Sequence, residues 1–156
     1  MIASADPATL AATFVVLYAA HSVGDHWVQT CHQAGAKGGD GTHARWACAG
    51  HVASLTVVKA LVLLALVLLT TVTLSPVALV VGLSVDAVSH YWADRRTTLA
   101  ALAARLRLTP FYQLGTPRPG HDDAPHLGTG AYALDQAWHV GWLLVTAFII
   151  AVGSAL

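Results

Sequence analysis

The chain has 156 residues, enough for one domain, and its formal net charge of zero removes the electrostatic basis for a nucleic-acid partner. It is 56% hydrophobic and only 10% charged, with a mean hydropathy of +0.61, whereas soluble domains carry about 25% charged residues. The composition points to a single integral-membrane domain over residues 1–156, with the lipid bilayer as its first partner.

Met1 to Asp6 contains no Lys or Arg, so a cleavable signal peptide is not expected there. A first apolar segment runs from about 8 to 30, close to the ~20 residues that a span needs. Residues 31–45 (CHQAGAKGGDGTHAR) are Gly-rich and polar and read as a loop. A second span runs from about 46 to 72, and Ser75-Pro76 then makes a short turn into a third over 76–94. After Arg96, Leu99, Leu102 and Leu106 recur at helical spacing with Arg105 and Arg107 interleaved, predicting a short amphipathic helix at the membrane surface. A Pro/Gly loop follows, and a fourth span covers about 133–155. The predicted fold is all-α: four transmembrane helices in an up-down-up-down bundle, plus an interfacial helix between the third and fourth.

The basic residues orient the spans. Lys37, Arg45, Arg95, Arg96, Arg105, Arg107 and Arg118 all lie in the two long connections, and Lys59 is the exception. The positive-inside rule puts both connections in the cytoplasm and both termini outside. Cys31 and Cys48 then lie near the reducing side, where free thiols are expected.

Polar residues inside these spans carry the functional signal, because an ionisable group costs several kcal/mol in a bilayer core unless it is paired. His21 and Asp25, Asp86 and His90, His90 and Asp94, and Asp135 and His139 are each four residues apart, one turn along a helix face. His51 stands near the start of the second span. In the predicted topology all of these lie towards the cytoplasmic side, where His and carboxylates from several helices build metal sites. Mixed His/Asp ligation without thiolate suits Zn, Mn or Fe. Asp86 and Asp94 are about 12 Å apart along a helix axis, too far to share one ion. Asp94, beside Arg95 and Arg96, reads as the outsider. His21, Asp25, His51, Asp86, His90, Asp135 and His139 are thus the candidate metal ligands, with Asp94 and Lys59 as assisting catalytic groups.

Plainer roles compete with these. Intramembrane His and Asp can simply hydrogen-bond between helices; Lys59 can snorkel. Trp27, Trp46, Trp92, Trp138 and Trp142 read as an interfacial aromatic belt. His26 reads as a structural loop-side residue, and His121, Asp122, Asp123 and His126 as a solvated polar loop on the same side.

The motifs resemble a bacterial integral-membrane family of unknown function, domain-of-unknown-function family 3307. Its His-x-x-Gly-Asp followed by Gln is matched by His21 to Asp25 and Gln29, its Ser-His-x-x-x-Asp by Ser89 to Asp94, and its Asp-Gln-x-x-His by Asp135 to His139. Its second helix offers His-x-x-x-His; here His51 is present and Leu55 takes the second place, which removes one ligand from any dinuclear site. The resemblance implies a polytopic protein of the bacterial inner membrane and a link to membrane-bound metal-dependent hydrolases. The expected function is therefore divalent-metal binding near the cytoplasmic face and hydrolysis of a membrane-associated substrate. The alternatives are proton or metal-ion translocation, and a non-catalytic scaffold with a structural polar cluster.

Overall fold

Asp6 starts the first helix: its carboxylate accepts from Thr9 N at 2.8 Å, and Pro7 needs no partner in the first turn. A computed structural model describes residues 4–121 and 128–156, and among these the regular elements are all helical. Helix α1, Pro7–Val23, continues into a π-helical turn over Gly24–Val28. Cys31–Ala36 forms α2, closed by a reciprocal capping box. Gln33 N donates to Thr30 Oγ1 at 3.2 Å, while Thr30 N donates to Gln33 Oε1 at 3.0 Å. The 31–45 stretch is therefore not a plain loop, since it contains α2 and the first turn of the next helix.

That helix, α3, spans Gly41–Leu69, and α4 spans Pro76–Asp94 with Ser75 as its cap. The amphipathic segment forms α5, Thr97–Arg105, burying Leu99 and Ala103. A short α6, Thr109–Tyr112, follows, and α7 spans Gly130–Ser154. The four long helices lie side by side: α1 against α3 and α7, and α4 against the same two. Leu17, Leu63, Leu143, Ala147 and Ile150 form the apolar core. Gly82 brings α4 close to α7, because a Cβ there would sit 2.6 Å from Ile150 Cγ1.

Among the described residues three stretches are long and apolar enough to cross a membrane, namely Pro7–Val28, Gly41–Leu69 and Gly130–Ser154. The expected fourth span is helical but does not join them. It has 19 residues, and its second half carries Asp86, Ser89, His90 and Asp94. The sequence that dilutes its hydropathy is also the sequence that supplies the polar cluster.

The aromatic belt is only partly peripheral. Trp27 and Trp46 are largely exposed. Trp92 stacks on Trp138 at 4.6 Å, and Trp138 Nε1 donates to Ser89 Oγ at 2.9 Å. Cys31 and Cys48 are both free.

Candidate metal centre

Four long helices each contribute one histidine to a single point. His21 from α1, His51 from α3, His90 from α4 and His139 from α7 are all buried. His90 is the hub. Its ring centroid lies 5.4 Å from that of His21, 5.1 Å from His51 and 4.0 Å from His139. Burying four imidazoles among apolar helices is costly unless their nitrogens find partners.

Carboxylates enter from three of the same helices. His51 Nε2 lies 3.0 Å from Asp25 Oδ1 and 3.4 Å from Asp94 Oδ2, and 3.1 Å from His90 Nε2. His90 Nε2 is 3.1 Å from Asp94 Oδ2. His139 Nε2 lies 3.5 Å from Asp135 Oδ1 and 3.8 Å from Asp94 Oδ1. Two overlapping triads result, Asp25–His51–His90 and His90–Asp94–His139, each with its candidate ligand atoms within 4.8 Å of one another. Donors on a tetrahedral ion with bonds of about 2.1 Å stand about 3.4 Å apart, close to these separations.

The protonation chemistry sharpens the point. With the Gln29 amide oriented to satisfy its neighbours, its oxygen accepts from Lys37 Nζ at 2.8 Å and from His51 Nδ1 at 3.3 Å. In a neutral His51 the proton is then on Nδ1, and Nε2 presents a lone pair. That lone pair faces two carboxylates and a second imidazole nitrogen. Acceptors this close need a cation between them, either a proton or a metal ion. Asp94 Oδ2 and His139 Nε2 are buried with no hydrogen-bond partner among the described residues. Asp94 Oδ2 has imidazole nitrogens at 3.1 and 3.4 Å, and His139 Nε2 has carboxylate oxygens at 3.5 and 3.8 Å, without a hydrogen bond forming. The residues present therefore fit a metal ion.

The centre opens onto a cavity of about 400 Å³ lined by Asp25, Gln29, Lys37, Asp94, Tyr112 and Asp135 among others. Lys37 Nζ reaches Asp94 Oδ1 at 3.0 Å and Asp25 Oδ1 at 3.4 Å. Its loop is held by Arg95, which donates to Lys37 O at 2.6 Å and also to Gly39 O. Burial pushes the Tyr112 phenol above its ordinary range, and the charge of Asp135 adds to the shift.

The family model described as a protein of unknown function, DUF3307, matches residues 13–156, nearly the whole chain. The chain belongs to the DUF3307 family. No curated protein and no solved structure matches it.

In this DUF3307 protein the helical pairings differ from those that spacing suggests. His21 and Asp25 do not bond: the π turn at Gly24–Val28 breaks the four-residue register, and Asp25 instead meets His51 and Lys37. A π turn within an α-helix is a frequent mark of a functional site. Both His21 ring nitrogens are unpartnered among the described residues, so His21 joins by ring contact alone.

The placement of Asp86 and Asp94 is the reverse of the sequence expectation. Asp86 pairs with Lys59, Nζ to Oδ2 at 2.6 Å, one turn away from His90 along α4. Asp94 sits at the middle of the cluster, touching His51, His90, His139 and Lys37. Spacing could not reveal this, because the choice depends on which residue the neighbouring helix presents. Lys37 and Gln29 belong to the centre as well. The signal for Lys37 was the Thr30-x-x-Gln33 capping pattern, which marks a helix in the glycine-rich stretch.

His26 also reaches the cavity, its Nε2 lying 3.2 Å from the Tyr132 hydroxyl. His121 is exposed, while Asp122, Asp123 and His126 lie outside the described residues.

Proposed function

We propose that this protein crosses the bacterial inner membrane four times, holds one divalent metal ion near the cytoplasmic face, and hydrolyses a membrane-associated substrate. The observation that carries the reading is the set of converging lone pairs around His90, with buried acceptor atoms left unpaired. Because His90 belongs to both triads, one ion is the natural occupancy. Zn, Mn and Fe fit the donor set. The fourth span is supported by the outer face of α4, where Val77, Val80 and Val88 are 67–73% exposed and would be poorly placed in water. The cytoplasmic position rests on the basic residues of the two long connections.

Asp25, His51, His90, Asp94 and His139 supply the candidate ligands, and Gln29 fixes the tautomer of His51 from behind. A bound divalent ion would bring the pKa of a coordinated water towards neutrality. Asp135 is the more exposed carboxylate at the cavity wall, its side chain 26% accessible, and is placed to accept a proton there. Lys59 neutralises Asp86 deeper in the helices and so holds a compensated charge pair behind the centre.

Translocation gains one observation, the polar Lys59–Asp86 pair beyond the histidines. It is opposed by the Leu17, Leu63, Leu143 and Ile150 core, where the buried polar side chains alongside are the neutral hydroxyls of Thr13 and Thr146 and no charged group follows among the described residues.

Metal analysis of detergent-purified protein, loaded in turn with Zn, Mn and Fe, tests the reading. Wild type should retain about one ion per chain, and His90→Ala and Asp94→Asn should retain none while still melting cooperatively. A metal-free wild type after all three loadings would sink it.

A further inference from the structure

The cavity in front of the centre has a cationic lip that the proposed metal chemistry does not use. Arg96 lines it. Its backbone lies at φ 55° and ψ −49°, where side chains rarely go, and it sits there at the junction of α4 and α5. The side chain lies across Gly38: a Cβ at that position would stand 2.5 Å from Arg96 Cδ and 2.8 Å from its Nε. A glycine bed and a strained backbone together fix where the guanidinium points.

Among the described residues its hydrogen bonding is far from saturated. The guanidinium has five N–H donors, and the one bond described is from Nη2 to Ala34 O, a long 3.3 Å. Arg95 next to it behaves in the opposite way, with its guanidinium committed to the carbonyls of Lys37 and Gly39. Lys37 is likewise committed, to Asp25 and Asp94. Arg96 is thus the cation of this wall with donors to spare.

We propose that the cavity is an oxyanion site for a phosphate ester, anchored at its lip by Arg96. The proposal rests on the metal-centre reading, since without a cation the carboxylates on the inner wall would repel an anion. With the inner wall neutralised, an ester phosphate meets positive charge on two sides: the loaded centre and the fork of Arg96. A planar guanidinium matches paired phosphate oxygens in a way that a lysine does not. Tyr112, Thr129 and Tyr132 add neutral hydroxyls around the same space, suited to an ester's bridging or esterified side. The volume of about 400 Å³ exceeds what a bare carboxylate needs. The ester could be a lipid headgroup or a soluble phosphate ester, because both present the same oxygens.

The test uses the full chain in a phosphate-free detergent, loaded with the metal that it retains, and inorganic phosphate as the probe. Equilibrium dialysis should find saturable phosphate binding that requires the metal. Arg96→Gln should weaken binding at least about tenfold, the loss of a charge-assisted anchor. Arg96→Lys should lose less, and Arg105→Gln, at the exposed C-terminal end of α5 and not part of the cavity lining, should lose nothing. Metal content is measured on every variant. If wild type binds no metal, the metal-centre reading itself has failed. If metal content is unchanged and Arg96→Gln binds phosphate like wild type, or loaded wild type binds none, the oxyanion site is wrong and the metal centre stands.

A second arm separates the two sources. The protein is placed in phosphatidylcholine vesicles mixed with phosphatidylglycerol or with the same charge fraction of a fatty-acid carboxylate, so that the surface potential is matched, and phosphate affinity is measured in each. Weaker phosphate binding beside phosphatidylglycerol than beside the carboxylate supports a headgroup as occupant; equal affinity supports a soluble ester.

Discussion

Two lysines neutralise aspartates in this protein, and they do so under opposite conditions. Lys59 meets Asp86 at 2.6 Å between α3 and α4, with both side chains almost inaccessible. Lys37 arrives from the end of α2, straddles Asp25 and Asp94 at 3.4 and 3.0 Å, and faces a cavity. In the first pair each charge has one partner and nowhere else to go. In the second the ammonium occupies carboxylates that a metal ion would also want, and it has a route out. A buried pair is costly to break but adds little net stability over an apolar replacement. The Lys37 contacts are nearly as buried, but they border a cavity through which a metal ion can take the ammonium's place.

Breaking the deep pair should produce the largest effect. Lys59→Met leaves Asp86 charged among apolar helices and should cost about 3–5 kcal/mol. Unfolding by a denaturing detergent measures it, and Lys59→Met with Asp86→Leu should recover most of the loss. A double variant as unstable as the single one would show that the pair is not the cause.

Lys37→Met should act in the other direction on a different quantity. It strips Asp25 and Asp94 of a buried counter-charge and should lower the stability of the metal-free fold by a few kcal/mol, while raising metal affinity by about tenfold or more, because a unit charge at about 4 Å is worth about 1 kcal/mol in water and about 4 at an effective dielectric of 20. Competition with a chelating dye reads this directly, and a fall in affinity would mean that Lys37 supports the ion rather than displacing it.

The smallest effect belongs to the element that delivers Lys37. Thr30→Ala removes the α2 cap, worth about 1 kcal/mol. Amide exchange should quicken in α2 alone, and metal affinity should rise by less than in Lys37→Met. Unchanged exchange would count against the cap.

The same contrast explains what could be read from the sequence. Hydropathy and caps place the long helices to within a few residues, since apolar runs and Ser75-Pro76 are local signals. The cluster was legible as well, because the polar residues of every long helix fall towards one end. Its internal pairing was not. Asp25 leaves the face of His21 through a π turn, and Asp86 turns to Lys59, a residue of another helix. Lys37 was hidden because a glycine-rich stretch reads as loop, although Thr30 and Gln33 cap a helix within it. Local chemistry was readable; partner choice across helices was not.

The apolar layer of Leu17, Leu63, Leu143 and Ile150 has a consequence for electrical behaviour. In the proposed orientation the centre lies between that layer and the cytoplasmic cavity, so most of the membrane voltage falls across the leucines. An ion entering by the cavity traverses little of that voltage. Metal loading in sealed vesicles should therefore ignore the membrane potential, whichever polarity is imposed.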